Sequence, residues 1–402
     1  MVDVAIIGHG VVGSGVAEII LNHKDLLTEK AKNEINLKYI LDIRDFENVP
    51  YADKFTKDFN DILNDDDVRV VIETAGGATF AYDYVKACLL KGKSVVTSNK
   101  ELVAAKGAEL LKIAMDNNIN FLFEASVGGG IPVLRPIAQC LAANDLTEIT
   151  GILNGTTNFI LTKMIKDNMQ FSDALSMAQR LGYAERDPSA DIDGHDAARK
   201  ICILASLAFG KHVYPDQIKT DGIRGMLLSD IALNSNMGYV TKLVGNAKVL
   251  ENGKITAAVS PAVIKKSDII SSTEDVFNII KVRGDAIGDV AFYGRGAGKL
   301  PTASAVVADV LDCVKHLHAR KYLFWDEGDK DYVVNPDTVA FSYLVITDAK
   351  NSDAVKSEFA VSDVCEENGN VAFTLKKTAK CDLKAKMEKL GINDYRIFRV
   401  ID

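Results

Sequence analysis

A glycine-rich turn follows an apolar strand near the start of the chain, and this order constrains the fold more than any other feature. Residues 4–7 (Val-Ala-Ile-Ile) predict a short buried strand, and the run Gly-His-Gly-Val-Val-Gly at 8–13 leads directly into a helical pattern. Between a strand and a helix, the GxGxxG spacing indicates a dinucleotide site. Gly8 allows the tight turn, Gly10 lets the backbone approach a pyrophosphate, and Gly13 lets helix and strand pack closely. The alternative is a structural turn that binds no ligand.

Strands and helices continue to alternate up to about residue 123, which predicts a doubly wound parallel sheet. Ligands of such sheets bind at the carboxyl ends of the strands. Polar or small residues stand at those ends, namely Thr74, Gly76, Ser98, Asn99 and Lys100. From its position alone, Lys100 fits a solvated lysine in the first turn of a helix equally well. The predicted strands cover 37–41, 70–72, 94–97 and 120–123, with helices over about 79–91 and 100–117.

Two charges after the second strand leave the choice of nucleotide open. Asp42 ends that strand, where a carboxylate would bind an adenosine ribose and repel a 2′-phosphate. Arg44 could instead pair with that phosphate, and both residues could equally be solvated surface charges. We expect tolerance of both NAD and NADP. His9, between the glycines, is expected to point outward without a catalytic role.

A second polar turn follows the apolar strand predicted over 147–153. The run Asn-Gly-Thr-Thr-Asn at 154–158 brings amides, hydroxyls and a helix N-terminus to one spot, and Asn158 is expected to open the helix. Such a spot suits a small polar ligand. An ordinary capped strand-to-helix turn is the alternative.

Five carboxylates crowd into residues 185–196, just before an apolar helical run over 197–209. A solvated acidic loop is one interpretation of this composition. Asp196 and Lys200, however, are four residues apart and share a helix face. On a surface they would form a weak ion pair. In a cleft they would form an oriented lysine acid/base with a pKa lowered by burial, as hydride transfer to a carbonyl requires.

The ordered motifs together resemble those of the homoserine dehydrogenase family over about residues 1–318. This resemblance implies interconversion of L-aspartate 4-semialdehyde and L-homoserine with NAD(P)(H), a step in threonine, methionine and isoleucine biosynthesis. Six motifs carry the resemblance, and they lie at 8–13, 98–100, 124–132, 154–158, 185–200 and 294–304.

The resemblance also implies roles for individual residues. Lys200 is expected as the proton donor with Asp196 beside it, and Lys100 as a second lysine near cofactor and substrate. Substrate contacts are expected from Glu185 (to the amino group), Asp191, Thr156 and Gly155. Cofactor contacts are expected from Gly8, Gly10, Val11, Val12, Gly13, Asp42, Arg44, Thr74, Ser98, Lys100 and Gly296. A monovalent-cation site, for sodium or potassium, corresponds to Glu124, Val127, Gly129 and Ile131, three of them through main-chain carbonyls.

The cysteines argue against a related reaction that forms an acyl-phosphate. Such an enzyme needs a nucleophilic cysteine in a polar, activating setting. Cys140 and Cys202 lie in apolar helical stretches and are expected in the core. The six cysteines contain no CxxC pair and no zinc-like spacing.

Two further domains are predicted after the nucleotide-binding one. Strand-like runs at 147–153, 239–249, 254–264 and 277–282, with a hairpin at Asn252-Gly253, indicate an open sheet that is a dimerisation surface in the resembled family. The expected fold class is therefore α/β, with a Rossmann-type doubly wound parallel sheet, an α+β catalytic and dimerisation domain and a small C-terminal ACT-like α+β tail. The expected boundaries are 1–130 (completed by a returning helix at about 300–318), 131–299 and 321–402.

The tail resembles a reduced ACT regulatory module. Its predicted strands are 338–347, 371–375 and 395–400, with a helix over 383–390. The Asp-Ala-Lys-Asn-Ser run at 348–352 replaces the glycine- and proline-bearing ligand turn of that module. We therefore expect no threonine feedback through the tail, and a structural or oligomerising role suits it equally.

Composition limits the partners. A net charge of −8 argues against nucleic acid and anionic membranes, and no apolar run has the length of a membrane span. No signal peptide is expected, so we predict a cytoplasmic homodimer or homotetramer that acts on a small molecule. The competing function is a catalytically inactive NAD(P)-binding regulatory protein. The combination of Lys100, Glu185, Asp196 and Lys200 favours the enzyme, because a sensor needs no acid/base lysine.

Overall fold

The structure is a computed structural model that describes residues 1–319 and 323–401. The chain forms two compact units, each assembled from three segments. The first unit comprises Met1–Asp145, Cys202–Pro215 and Gly294–Asp329, and the second comprises Leu146–Ile201, Asp216–Tyr293 and Lys330–Asp402. The first two positions of the expected tail domain, 321 and 322, lie outside the described residues.

A parallel sheet forms the centre of the first unit. Its strands are β1 (Val2–Ile7), β2 (Ile35–Leu41), β3 (Phe55–Thr56), β4 (Val68–Glu73), β5 (Ser94–Thr97) and β6 (Phe121–Leu122). They lie in the order β3-β2-β1-β4-β5-β6, which confirms the doubly wound prediction. Because β1 pairs with both β2 and β4, the winding reverses at the strand that carries the glycine-rich turn. This reversal is where such sheets bind their ligands.

The helices of the first 145 residues are α1 (Val11–Asn22), α2 (Lys24–Ala31), α3 (Phe59–Leu63), α4 (Thr79–Leu90) and α5 (Lys100–Asp116). α1 begins inside the glycine-rich turn, at Val11. α2 escaped prediction because only Leu27 and Ala31 of its eight residues are buried, too few for a clear apolar period. Gly92 follows α4 with a φ of +76°, as a helix-ending glycine should.

The second unit is built on a mixed sheet. Its first strands are β7 (Leu146–Ile152), β8 (Lys219–Thr220), β9 (Tyr239–Val249), β10 (Ile255–Lys265), β11 (Phe277–Gly284) and β12 (Gly288–Arg295). Its helices, in chain order, are α6 (Gly155–Asp167), α7 (Phe171–Arg180), α8 (Ser189–Ile192), α9 (His195–Phe209) and α10 (Leu228–Asn236). The predicted hairpin is confirmed, since β9 and β10 pair antiparallel along their whole length. β12 was not predicted, because its glycine-flanked sequence alternates weakly and its residues are half-buried or exposed.

Helix α6 is fixed on the sheet by a buried amide, Asn158. Its Nδ2 donates to the carbonyl oxygens of Thr273 (3.2 Å) and Phe277 (3.1 Å), and its Oδ1 accepts from Lys242 Nζ at 3.0 Å. Burial lowers the pKa of Lys242 to about 8. Asn158 therefore anchors the helix from within its first turns instead of opening it.

After β12 the chain forms α11 (Lys299–Lys315), which belongs to the first unit. α11 packs on α1, where Gly15 permits a close approach. A Cβ at Gly15 would lie 3.0 Å from that of Ala303. The glycine therefore holds the returning helix against the helix that begins in the glycine-rich turn.

The tail contains β13 (Val333–Val334), β14 (Ala340–Asp348), α12 (Ser352–Glu358), β15 (Val361–Glu367), β16 (Asn370–Ala379), α13 (Lys380–Lys389) and β17 (Tyr395–Ile401). From β14 onward this is a βαββαβ chain with strands in the order β17-β14-β16-β15, a ferredoxin-like arrangement. β17 also pairs in parallel with β10, so one sheet continues from the middle of the unit into the tail. α12 and β15 were not predicted, because exposed polar residues dominate both.

Gly13 and Gly10 place opposite steric demands on the glycine-rich turn. A Cβ at Gly13 would lie 1.9 Å from the carbonyl oxygen of Gly8, whereas a Cβ at Gly10 meets nothing within 4 Å. Gly13→Ala should therefore lower the free energy of unfolding by about 3 kcal/mol, while Gly10→Ala should stay within about 1 kcal/mol of wild type. Urea unfolding without nucleotide measures both. Equal stability of the two variants would contradict the steric argument.

Candidate active site

The glycine-rich turn of the first unit is shaped for a close-lying ligand. Gly8 has a φ of +92°, and its absent Cβ would lie 2.5 Å from the Cα of Ala75. Thr74 holds the turn from the neighbouring strand, donating its hydroxyl to the carbonyl oxygen of Gly8 at 2.7 Å. The space beside Gly10 is open. Val11 and Val12 form the first turn of α1, whose amides suit an anion. These features fit a dinucleotide pyrophosphate.

Asp42 and Arg44 bind each other and the glycine-rich turn. Asp42 accepts the backbone N–H of His9 at 2.7 Å, and the Arg44 guanidinium donates to both of its oxygens at 3.0 and 2.9 Å. Arg44 also donates to the carbonyl oxygen of His9 at 3.1 Å. The Arg44 guanidinium and the backbone donors hold the pKa of Asp42 well below its usual range. The side chain of Asp42 is therefore largely buried and hydrogen-bonded, whereas that of Arg44 is 58% exposed.

The imidazole of His9 does not point outward, so that expectation was wrong. It is buried, and its ring centroid lies 4.6 to 5.7 Å from those of Phe46, Tyr51 and Phe55. Burial lowers the pKa of His9. The aromatic rings that contact the imidazole lie at 46–55, beyond the end of β2. The glycine-rich motif alone could not predict these contacts. The ring therefore pins the loop after Arg44 to the glycine-rich turn.

Glu73 is a structural carboxylate that was not singled out from the sequence. It ends β4, is fully buried, and accepts the Thr97 hydroxyl at 2.5 Å and the amides of Ala75 (2.9 Å) and Gly76 (3.2 Å). Burial raises its pKa. The sequence feature that could have identified Glu73 is a carboxylate between an apolar strand and two glycines. Glu73 fixes the backbone where β4 and β5 end.

Lys100 begins α5 at the same edge of the parallel sheet. Asn99 caps this helix by accepting the N–H of Leu102 at 3.1 Å, and its Nδ2 donates to the carbonyl oxygen of Gly77 at 2.6 Å. Ser98 precedes the cap and donates its backbone N–H to the carbonyl oxygen of Glu73 at 3.4 Å. The Ser98-Asn99-Lys100 turn and the glycines after β4 are therefore tied together.

The expected cation segment holds a carboxylate that accepts three backbone N–H groups. The side chain of Glu124 is buried and accepts the backbone amides of Val133, Leu134 and Arg135 at 2.6 to 2.8 Å. Its own amide donates to Asp309 at 2.8 Å. The Glu124 side chain therefore organises the protein backbone, and a cation at this segment would depend on main-chain carbonyls.

Gly129 and Gly296 lie against each other in the first unit. A Cβ on Gly129 would be 2.4 Å from the carbonyl oxygen of Gly296, and Gly130 donates its N–H to the carbonyl oxygen of Arg295 at 3.2 Å. Val127 and Ile131 flank this contact and are buried. Two glycine runs separated by more than 150 residues thus meet, which explains why Gly129 has no side chain.

In the second unit, α6 opens at Asn154, whereas the sequence predicted that Asn158 would open it. The Oδ1 of Asn154 accepts the N–H of Thr157 at 2.8 Å, so this residue is the N-cap of α6. Its Nδ2 donates to two carboxylates, Asp191 at 2.7 Å and Asp196 at 2.9 Å. One amide thus joins the polar turn to the acidic stretch.

Lys200 and Asp196 form a buried pair, not a surface pair. The Nζ of Lys200 lies 2.8 Å from Oδ2 of Asp196 and donates to the carbonyl oxygen of Leu153 at 2.8 Å. Lys200 is 8% exposed and Asp196 is 5% exposed. A buried charge needs such partners, because water no longer solvates it. We call Asn154, Asp191, Asp196 and Lys200 the lysine–carboxylate network.

Asp191 adds a second carboxylate to this network. Burial, followed by the nearby charge of Asp196, raises the pKa of Asp191, while Asn154 and Thr156 partly offset the effect. Thr156 also donates its hydroxyl to the carbonyl oxygen of Tyr183 at 2.6 Å. Gly155 has a structural reason of its own, since a Cβ would lie 2.8 Å from the carbonyl oxygen of Val276. Glu185 is exposed, two residues beyond Tyr183.

The structure therefore groups the predicted site residues by unit. The lysine–carboxylate network, Gly155, Thr156 and Glu185 belong to the second unit, and every other predicted site residue belongs to the first. The residues missed by sequence reasoning are Asn154, which links the network, and Glu73, which shapes the nucleotide side.

One cysteine departs from expectation. Cys202 is buried in α9 as expected, but Cys140 is exposed. Cys140 ends a π-helical turn, Pro136–Cys140, in which only Ile137 is buried, so the apolar stretch does not present this residue to the core.

Two kinds of feature are absent from the described residues. Within 1–319 and 323–401, no three or more His, Cys, Asp or Glu side chains cluster so as to hold a metal ion. In the same part of the chain, no helix combines the length and the apolar character needed to cross a membrane.

Known proteins are similar to this chain in both sequence and fold. The family model for homoserine dehydrogenase matches residues 132–311, and the model for the homoserine dehydrogenase NAD binding domain matches residues 8–124. Homoserine dehydrogenase of Bacillus subtilis is 41% identical over 320 residues, which span 79% of this chain and 73% of that protein.

Solved structures agree with these matches. The crystal structure of a homoserine dehydrogenase from Thiobacillus denitrificans has a TM-score of 0.91 at 30% identity, covering 100% of this chain and 98% of that one. A hyperthermophilic archaeal homoserine dehydrogenase mutant in complex with NADPH has a TM-score of 0.64 at 27% identity, covering 78% and 97%. On the strength of the two family models and a relative at 41% identity, the chain belongs to the homoserine dehydrogenase family.

Proposed function

We propose that this chain catalyses the NAD(P)-dependent, reversible reduction of L-aspartate 4-semialdehyde to L-homoserine. The observation that carries the proposal is the buried Lys200, whose ammonium is held by Asp196 and by the carbonyl oxygen of Leu153. The reaction is that of the family to which the chain belongs. Nothing in the comparisons supports the alternative of an inactive regulatory protein.

Lys200 is proposed to move the proton. Reduction adds a hydride to the aldehyde carbon and a proton to its oxygen, and the bound nicotinamide supplies the hydride. The ammonium of Lys200 stabilises the negative charge that develops on oxygen and donates the proton. Asp196 keeps the ammonium oriented, and in the reverse direction the neutral amine accepts the hydroxyl proton.

The substrate is proposed to bind through the polar residues around the network. Glu185 holds the amino group of the substrate, and Asp191 lies beside it. Asp191 is anchored by Asn154, while Thr156 ties α6 to the loop that leads to Glu185. Gly155 is proposed to contact the substrate through its backbone, since the carbonyl oxygen of Val276 lies too close for a side chain there.

The nucleotide is proposed to bind along the carboxyl ends of β1, β4 and β5, with NAD and NADP both accepted. The open space at Gly10 and the positive φ of Gly8 support close approach of a pyrophosphate. The relative solved with NADPH supports the same cofactor class. Further contacts are proposed from Val11, Val12, Gly13, Asp42, Arg44, Thr74, Ser98, Lys100 and Gly296.

A sodium or potassium ion is proposed at residues 124–131. Oxygen ligands suit such hard cations. Because the Glu124 carboxylate already accepts three backbone N–H groups, we propose that main-chain carbonyl oxygens bind the ion. The ligands are Glu124, Val127, Gly129 and Ile131. No chemical step depends on this ion.

We further propose a cytoplasmic homodimer or homotetramer with the domains 1–130, 131–299 and 321–402. The half-exposed strand β12 at one edge of the large sheet supports association of subunits. The βαββαβ order of the tail supports its ACT-like character. The Asp348–Ser352 segment begins with a capped 3-10 turn, since Asp348 accepts the N–H of Lys350 at 3.0 Å.

Lys200→Ala should lower kcat by roughly 10²–10⁴-fold while nucleotide affinity stays close to wild type, because only the proton transfer is lost. Lys200→Arg should not rescue the rate, since a guanidinium does not release its proton near neutral pH. Steady-state kinetics and fluorescence titration of NADPH measure the two effects. Lys163→Ala is the matched control, because Lys163 also pairs with a carboxylate four residues away, Asp167 at 3.2 Å, but more exposed. A near-normal kcat for Lys200→Ala would transfer the acid role to Lys100.

Asn154→Ala should lower kcat about tenfold and the free energy of unfolding by about 1 kcal/mol, since it removes both the helix cap and the donor to two carboxylates. Kinetics and urea unfolding separate the two losses. Gln170→Ala is the control, because Gln170 precedes α7 without a capping bond from its side chain. A destabilised variant with wild-type kcat would show that Asn154 acts only as a helix cap.

Asp42→Ala should shift the NADPH-over-NADH preference upward by about tenfold, equivalent to about 1.4 kcal/mol. The reason is that Arg44, released from Asp42, becomes available to a 2′-phosphate. The KM values of both nucleotides measure the shift. Asp45→Ala provides the comparison, since Asp45 lies nearby and pairs with Lys57 at 2.6 Å. An equal change in the KM of both nucleotides would show that Asp42 does not contribute to the nucleotide site.

A further inference from the structure

A pocket of about 200 Å³ lies in the first unit, beyond the carboxyl end of β2. Its lining comes from residues 42–57, which comprise the loop between β2 and β3 and the start of the chain after it. The lining includes the charged residues Asp42 and Arg44 and the aromatic rings of Phe46 and Phe55. His9 is not one of the described residues that line this pocket, yet it contacts all four.

The contacts of His9 involve both its backbone and its ring. Its backbone N–H donates to Asp42 at 2.7 Å, and its carbonyl oxygen accepts from Arg44 at 3.1 Å. Its imidazole centroid lies 4.6 Å from that of Phe46 and 5.0 Å from that of Phe55, with the rings edge to face. Phe46 and Phe55 are stacked on each other at 4.9 Å. One residue therefore supports both the charged part and the aromatic part of the pocket.

Tyr51 completes the surroundings of the imidazole. Its ring lies edge to face with that of His9 at 5.7 Å, and its hydroxyl oxygen lies 3.1 Å from Nε2 of the imidazole. Nδ1 is buried, and no described residue offers it a hydrogen bond. We call His9, Phe46, Tyr51 and Phe55 the imidazole cage. A neutral imidazole needs one partner for its single N–H, whereas an imidazolium would carry a second, buried N–H without an acceptor.

Charged groups near the imidazole cage act in opposite directions. Among the described residues they are Glu18 of α1, Asp42 and Arg44 of the loop after β2, and Lys299 of α11. Burial has the largest effect and lowers the pKa of His9, while Asp42 raises it and Arg44 and Lys299 lower it. Burial also raises the pKa of the Tyr51 hydroxyl, which therefore remains a neutral partner. The cage accordingly holds the imidazole in its neutral form.

We propose that His9 is a positioning residue for the adenosine end of the nucleotide, and that the imidazole cage is an acid-sensitive latch on the loop between β2 and β3. The proposal rests on the proposed function, because it takes the nucleotide of that reaction as the ligand of the pocket. The latch is closed while the imidazole is neutral. On protonation the imidazole leaves the cage, and Phe46 and Phe55 lose the contact that holds them at the pocket.

The pH dependence of this latch has a definite direction. Above about pH 6.5, the ordinary pKa of histidine, the imidazole is neutral both in the cage and in water, so nucleotide affinity stays constant. Below that pH the exposed imidazole binds a proton more readily than the caged one, because burial lowers the pKa of His9 in the cage. Protonation therefore favours the open loop. Nucleotide affinity should fall as the pH decreases below about 6.5, by about threefold to tenfold at pH 5.5.

The acid sensitivity is tested by fluorescence titration of the full chain with NADH and NADPH between pH 5.5 and 8. His9→Phe retains an aromatic ring in the cage but cannot be protonated. Its dissociation constants should lie within about threefold of wild type at pH 7.5. Between pH 7.5 and 5.5 its affinity should rise at least threefold relative to wild type. Because both proteins are compared at the same pH, the titration of the 2′-phosphate of NADPH cancels in this ratio.

The positioning role is tested at pH 7.5, where the imidazole is neutral. His9→Ala empties the cage and should raise the dissociation constants of both nucleotides about tenfold, whereas His9→Phe restores them. Tyr51→Ala should raise them at least threefold although Tyr51 is not among the described residues that line the pocket. It provides the test if His9→Ala fails to fold. His23→Ala is the matched control and should bind as wild type at every pH, because His23 is exposed.

The possible failures are distinguishable from one another. Wild-type affinity in folded His9→Ala and Tyr51→Ala proteins at pH 7.5 would overturn the positioning role. A His9→Phe protein with the pH dependence of wild type would overturn the acid-sensitive latch. A wild-type protein that binds neither NADH nor NADPH at pH 7.5 would refute the proposed function and this inference with it. Thermal unfolding without nucleotide establishes that each variant is folded.

Discussion

The side chain of Asn154 is the single group on which the geometry of the candidate active site depends. Its oxygen caps α6, and its amide nitrogen binds Asp191 and Asp196. Through Asp196 it also determines the position of the Lys200 ammonium. Two carboxylates and an ammonium are stable in a buried setting only when hydrogen bonds replace the lost water. One neutral amide supplies several of these bonds and at the same time fixes the helix to the acidic stretch.

The nucleotide side of the protein uses buried carboxylates in a similar way. Glu73 binds two amides of the glycine turn after β4, and Glu124 binds three amides of the segment that follows it. Asp42 binds the amide of His9 within the glycine-rich turn. In each case a carboxyl group accepts backbone N–H bonds and holds the loop backbone in place. Preorganised loops of this kind lower the cost of binding.

The large sheet is continuous from the middle of the second unit into the tail. β17 of the tail pairs with β10, and both strands line a cavity whose wall also includes Arg224. Arg224 reaches Asp193, two residues from Asp191.

Local sequence determined many of the strands, the longest helices and the glycine-rich turn, because periodicity and turn chemistry involve residues that are close in the chain. The resemblance of the ordered motifs indicated the family. The sequence also identified Asp196 and Lys200 as sharing a helix face. Whether that pair was a surface pair or a buried one depended on Leu153, 47 residues away, and on Asn154. The environments of His9 and Cys140, and the pairing of Arg44 with the glycine-rich turn, were likewise settled by tertiary structure. Burial and distant hydrogen-bond partners arise only when separate elements pack, and no local pattern encodes them.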